Sequence, residues 1–138
     1  MDRLFLDANI LFSAAYHPHA GLLRLWKLED VVLCSSRYAL AEANMNLQEE
    51  VQRKGLSELS AQLHFYEAPQ RVLPRGILLP AKDTPILLAA IAADATHLLS
   101  GDVRDFGRYF GRRIEGVGIL LPGKYLRTRR KWNVLSNR

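Results

Sequence analysis

Four carboxylates, Asp7, Glu42, Asp83 and Asp102, sit where a chain could gather them, and Asp105 follows close behind the last. Each has an ordinary explanation. Asp83 heads Asp-Thr-Pro, a good helix N-cap with proline in the first turn. Asp102 could cap a helix starting at Val103, and Asp7 one starting at Asn9. Glu42 could be a solvated helix residue beside Glu49 and Glu50. The joint pattern asks for more. Several carboxylates brought to one place repel one another unless a cation neutralises them. An oxygen-only donor set favours a hard ion, Mg²⁺ or Mn²⁺, and such an ion suits phosphoryl chemistry.

The elements around these acids decide whether they meet. Arg3–Leu6 reads as a short strand ending at Asp7, and Asn9–Ala15 as a short helix. Gly21–Glu29 places Leu22, Leu25, Trp26 and Leu28 at helical spacing, and Val31–Cys34 is a buried strand. After the Ser35-Ser36 cap signal a helix is expected to about Arg53, with Leu40, Ala43, Leu47 and Val51 on one stripe and Gly55 as its stop. A further helix is expected over Leu56–Ala68, stopped by Pro69. Ile77–Leu79 reads as a strand, Thr84–Asp94 as a helix and His97–Ser100 as a strand. Val103–Phe110 reads as a short helix and Val117–Leu121 as the last strand, with Pro122 and Gly123 closing the regular structure.

Apolar strands alternating with amphipathic helices predict an α/β fold, a three-layer α/β/α sandwich around a mostly parallel sheet. Ligands of such sheets bind outside the carboxyl ends of the strands. Asp7, Asp83 and Asp102 each follow an expected strand and are expected at that edge. Helical phase takes Glu42 off the apolar stripe, so the core does not claim it.

These segments, taken together, resemble a PIN-domain ribonuclease. The resemblance rests on Leu4-Phe5-Leu6-Asp7-Ala8-Asn9 with Ile10-Leu11, on Ser36-Arg37-Tyr38-Ala39-Leu40-Ala41-Glu42, on Lys82-Asp83-Thr84-Pro85-Ile86-Leu87 leading into Ala89-Ala90-Ile91, and on His97-Leu98-Leu99-Ser100-Gly101-Asp102 with Asp105-Phe106. Order and spacing match over roughly residues 3–121. The resemblance implies Mg²⁺- or Mn²⁺-dependent cleavage of RNA, by in-line attack of a metal-activated water. Asp7, Glu42, Asp83 and Asp102 match its metal-binding acids. Asp105 matches a position acidic in part of the family, and Asn9 and Ser100 match polar positions that orient the acids. Ser100 stands where threonine is frequent. Many small members are dimeric toxins of bacterial toxin–antitoxin pairs, so the implied partners are RNA, an antitoxin protein and a second copy of the chain.

The rest of the chain sets the bounds. Its 138 residues, 49% hydrophobic and 24% charged, fit one globular domain. Residues 1–123 are expected to form the nuclease domain and 124–138 a basic C-terminal tail. The formal charge is +5, concentrated in Arg127, Arg129, Arg130, Lys131 and Arg138 and in a second group at Arg108, Arg112 and Arg113. That excess fits a polyanionic partner, and equally a solvated, loose end. Arg104, Arg108 and the arginines of the C-terminal group are candidate RNA contacts. Asp7 interrupts the first apolar stretch and no run reaches a membrane span, so a cytoplasmic protein is expected. The single cysteine, Cys34, reads as a core thiol.

Other residues carry less. His17-Pro18-His19 resembles a metal pair but has no third ligand nearby. His64 reads as packing, and His97 has no serine or cysteine beside it to activate. Trp26 and Trp132 could stack bases, although Trp26 has the spacing of a core or dimer contact. Two rival readings are a phosphate-accepting receiver-like domain, for which Lys124 is the one lysine candidate, and an inactive PIN-like module that binds RNA or protein. A Gly-rich dinucleotide turn is missing after the first strand, which disfavours a Rossmann domain.

Overall fold

In a computed structural model, residues 1–17 and 21–136 are described, with side chains as far as Arg129. Six strands form one sheet: β1 (Asp2–Leu6), β2 (Val31–Ser35), β3 (His64–Phe65), β4 (His97–Leu99), β5 (Arg113–Ile114) and β6 (Val117–Leu120). Their order is β3-β2-β1-β4-β6-β5. All pairings are parallel except the β5–β6 hairpin. The helices are α1 (Ala8–Tyr16), α2 (Arg37–Asn46), α3 (Glu50–Ser60), α4 (Thr84–Ala92), α5 (Val103–Phe106) and α6 (Pro122–Ser136), with 3₁₀ turns at Gly21–Lys27 and Gly107–Tyr109. This is the expected α/β/α sandwich. Strand order reverses between β1 and β4, which opens a crevice at their carboxyl ends. Right-handed crossovers put α1 to α3 on one face of the sheet and α4 and α5 on the other.

The central strands bury their apolar residues completely: Leu4, Phe5, Leu6, Leu98, Leu99 and Ile119 have no exposed surface. Helix α4 is apolar all round, and five consecutive residues, Ile86 to Ala90, are buried. The register aligns Leu6 with Leu99 and Leu99 with Leu120. Asp7, Ser100 and Leu121 therefore leave three adjacent strands side by side. The Asp7 and Ser100 amides extend the ladder by donating to the Leu99 and Leu120 carbonyls at 3.1 Å each.

Several local expectations are corrected. The helix expected to reach Arg53 breaks at Leu47, whose extended backbone buries its side chain completely. The Leu47 carbonyl is taken by Arg53 Nε at 2.8 Å. Helix α3 then runs through Gly55, which does not stop it, and Val51 is exposed rather than on a core stripe. The helix expected over Leu56–Ala68 ends at Ser60, because Leu63 turns into the core and His64–Phe65 pair with β2.

Ile77–Leu79 forms no strand. Pro74, the left-handed Gly76 (φ +84°) and Pro80 interrupt any ladder. The hydroxyl of buried Tyr109 takes over, accepting from the Leu78 amide at 2.9 Å and donating to its carbonyl at 3.1 Å.

Pro122 and Gly123 do not close the structure either; they begin α6. Proline suits a first helical turn, where its missing N–H costs nothing. Tyr125 and Leu126 are buried, so the basic segment starts as a packed helix rather than a loose end. The Tyr125 hydroxyl donates to Asp2 Oδ2 at 2.6 Å, and its ring packs edge-on against His97. Arg129 pairs with Asp30 and with Asp2. Helix α6 thus begins at the carboxyl ends of the strands and is pinned at their opposite ends.

Pro18, His19 and the side chains of Arg130, Lys131, Trp132 and Arg138 lie outside the described residues. Trp26 donates its indole N–H to the Leu59 carbonyl and packs on the core, as its spacing predicts. Cys34 is buried.

Candidate metal centre

A cavity of about 850 Å³ opens at the β1/β4 crevice, and Asp7, Asn9, Glu42, Asp83 and Asp102 all line it. Its acidic floor has two differently built halves.

Asp7 anchors the first. It is 3% exposed, and both its oxygens are engaged. Oδ1 accepts from the Ala8 amide at 2.7 Å, which starts α1; Oδ2 accepts from Ser100 Oγ at 2.7 Å and from Asn9 Nδ2 at 3.0 Å. Asn9 Oδ1 in turn accepts from the Gly101 amide at 2.8 Å, and Ser100 Oγ from the Asp102 amide at 3.0 Å. Asn9 and Ser100 so tie the end of β1 to the loop after β4. Gly101 permits this closeness, since a Cβ there would come within 3.3 Å of Asn9 Oδ1. Burial pushes the Asp7 carboxyl above its ordinary range, and the hydrogen bonds from Ser100, Ala8 and Asn9 pull against it.

Asp83, Asp102 and Asp105 make the second half. Each offers a carboxylate oxygen, and the three oxygens lie within 4.8 Å of one another. Asp102 Oδ1 caps α5 by accepting from the Asp105 amide at 3.0 Å. Asp83 stands at the N-cap of α4 but does not cap it. It is 5% exposed, and its Oδ2 is buried without a hydrogen-bond partner. Desolvation, helped by the neighbouring Asp105 carboxylate, pushes the Asp83 carboxyl up to about 7. Asp105 is held below its usual range, chiefly by its hydrogen bond with Asp83. A buried carboxylate oxygen left unpaired costs free energy that a cation would return. All donors are oxygens, so the residues present fit a hard divalent ion.

Glu42, on α2, faces the same cavity and is half-buried. One turn earlier on α2, the Tyr38 hydroxyl donates to the Lys82 carbonyl at 2.9 Å and ties that helix to the segment entering α4. Arg104 and Arg108 are not in this cavity. They line a smaller hollow of about 360 Å³ with Leu73, Ile77–Pro80 and Asp105. Asp105 therefore joins the cluster from the far side.

The basic side of the main cavity comes from three residues, of which Arg127 was expected to meet RNA from a loose tail and Lys124 only in a receiver-like fold. Lys124 and Arg127, in the first turns of α6, line it, as does Lys82. The signal for α6 was Pro122, which reads equally as a stop or as a first-turn proline. Lys82 had only its adjacency to Asp83 to mark it. The receiver-like reading loses support here, because that fold's sheet order is 2-1-3-4-5 and this one places β2 and β3 on the same side of β1.

No family model matches the chain, and no curated protein matches it. Among solved structures, the fold is similar to a chain in the crystal structure of VapBC2 from Rickettsia felis bound to a DNA fragment from their promoter. The TM-score is 0.64 at 18% identity, covering 85% of this chain and 96% of that one. That likeness is one of fold. Among the described residues no helix is long and apolar enough to cross a membrane.

Proposed function

We propose that this chain is a divalent-metal-dependent endoribonuclease of the PIN type, acting as the toxin of a toxin–antitoxin pair. The observation that carries the enzymatic reading is the buried, unpartnered Asp83 oxygen in a cluster with Asp102 and Asp105, at the reversal point of the sheet. The toxin role is supported by the PIN resemblance and by the fold likeness to VapBC2, a pair found on its own promoter.

Asp7, Asp83 and Asp102, with Asp105 on the far side, would hold Mg²⁺ or Mn²⁺, and Glu42 would position a second ion or the water. When bound, such an ion lowers the pKa of a coordinated water and offsets charge on the phosphodiester. The chain's own residues do the rest. Asn9 and Ser100 fix the Asp7 carboxylate, as outer partners of ligands do elsewhere. Lys124 and Arg127, which line the same cavity, bind backbone phosphates. The products are a 5′-phosphate and a 3′-hydroxyl. The partners are RNA, an antitoxin and a second copy of the chain; residues 1–123 carry the acidic site, and the first turns of α6 complete its basic wall.

A defined RNA panel incubated with Mg²⁺, Mn²⁺ or EDTA tests this, with wild type beside Asp7→Asn. Cleavage should need the metal and disappear in the variant. Cleavage that persists in EDTA, or RNA binding with no cleavage in any metal, would overturn it.

A further inference from the structure

The carboxylate cluster already contains a cation. Lys82 Nζ lies 3.2 Å from Asp105 Oδ2, 3.7 Å from Asp83 Oδ2 and 3.8 Å from Asp102 Oδ2. These are the three residues whose oxygens converge. The ammonium sits among them rather than capping one, and the Asp83 oxygen it approaches is the one without a hydrogen-bond partner. A lysine head group and a divalent ion cannot both occupy that position, because at such distances their repulsion is large.

The side chain is built to leave. It is 58% exposed, on a flexible four-carbon stem. Its backbone is held independently, because Tyr38 grips the Lys82 carbonyl. The head group can swing while the residue stays, and the cavity that Lys124 and Arg127 share gives it room.

We propose that Lys82 is a resident, displaceable cation that holds the Asp83–Asp102–Asp105 cluster together in the metal-free protein and must be expelled when a divalent ion binds. The inference rests on the proposed metal centre. It makes Lys82 a determinant of metal affinity: the protein loads only when the divalent ion outcompetes a tethered ammonium. Three part-exposed ion-pair contacts are given up on loading, so their removal is worth roughly tenfold in affinity.

The test is Mn²⁺ binding by the full chain, read by calorimetry and by the free-Mn²⁺ paramagnetic signal, without RNA. Wild type is compared with Lys82→Met, Lys82→Gln and Lys124→Met. Both Lys82 variants should bind Mn²⁺ about tenfold more tightly than wild type. Lys124→Met should stay within about twofold, since it removes the same charge from the same cavity without touching the cluster. Metal-free Lys82→Met should also melt below wild type, and saturating Mn²⁺ should erase the difference. Equal or weaker Mn²⁺ binding by both Lys82 variants overturns the proposal while leaving the metal centre intact. Equal tightening by Lys124→Met overturns it in favour of a general charge effect. No Mn²⁺ binding by any of the four proteins overturns it together with the metal centre.

Discussion

The two halves of the acidic floor face the same cavity but are finished to different degrees. The Asp7 half is complete as folded, with both oxygens hydrogen-bonded and two polar neighbours locking the loops around them. The Asp83 half is incomplete, with one oxygen buried without a hydrogen bond and a largely exposed ammonium 3.7 Å away as its counter-charge. The first half supplies geometry. The second stores unfavourable electrostatics that a divalent ion would relieve. A site of this kind combines a rigid reference ligand with a set of carboxylates whose own stability is poor, which is the common trade between function and stability.

The largest effect should come from the finished half. Asp7→Asn replaces one acceptor with a donor that faces the donors Ser100 and Asn9, and removes a charge the metal needs. RNA cleavage should fall by more than about 100-fold, beyond the 10- to 100-fold typical of outer-partner changes. Circular dichroism should still report a folded chain. Cleavage within tenfold of wild type would show that the finished half is structural only.

Asp83→Asn should act in the opposite direction on stability. The folded carboxyl is pushed up to about 7, above its ordinary value of 3.8. Between those values the native state binds more protons than the unfolded one, so Asp83's contribution to stability declines as pH rises and levels off above about 7. Asparagine removes that penalty. The metal-free variant should melt higher than wild type above pH 7, by at least about 3 °C, and near wild type at pH 4. Mn²⁺ binding should be lost at every pH. In the wild type, Mn²⁺ must displace the Asp83 proton, so affinity should climb as pH rises to about 7 and then flatten. A variant less stable than wild type at neutral pH would show that the second half is as well satisfied as the first.

How much of this was legible beforehand differs between the halves for a physical reason. Asp7 directly follows a short apolar strand and Asp102 stands a few residues past the end of another, so period and position alone carry them to the right edge. The placement of Asp83 at that edge was expected from a strand at Ile77–Leu79 that does not form. The residue arrives there on an irregular segment held by the Tyr109 hydroxyl, a long-range partner that no local pattern announces. Arg104 and Arg108 were legible as basic helix residues, but the direction they face depends on that same segment. The basic character of Lys124 and Arg127 was legible, but their place on the cavity was hidden by Pro122, whose role as stop or start is decided by Tyr125 and Leu126 finding the core. Lys82 could be recognised as a counter-ion only after three carboxylates from two chain segments had converged on it.

Ser100→Ala probes the link between the halves. It removes the hydroxyl that donates to Asp7 and accepts from the Asp102 amide, leaving both without that partner. Cleavage should fall about tenfold, with weaker Mn²⁺ binding, and stability by about 1–2 kcal/mol. Ser100→Thr keeps the hydroxyl and should restore most of both. If alanine changes stability alone, the two halves work independently.

The smallest effect separates the two basic groups. Arg127 lines the main cavity together with the acids, and Arg108 lines the lesser hollow together with Asp105. Neither holds a ligand of the proposed metal centre, so a substitution should act on RNA binding with Mn²⁺ affinity unchanged. Arg127→Ala should weaken RNA binding a few-fold in EDTA, roughly equally for all sequences, and reduce the salt dependence by about one counterion. Arg108→Ala should change binding less than about twofold, because its hollow meets the acids only at Asp105 and lies outside the main cavity. The reverse ranking, measured by fluorescence anisotropy across a salt series, would place the RNA path over the Ile77–Pro80 segment and not along α6. The +5 charge of the chain would then act through the group around Arg108, and the finished and unfinished halves would be approached from the Asp105 side.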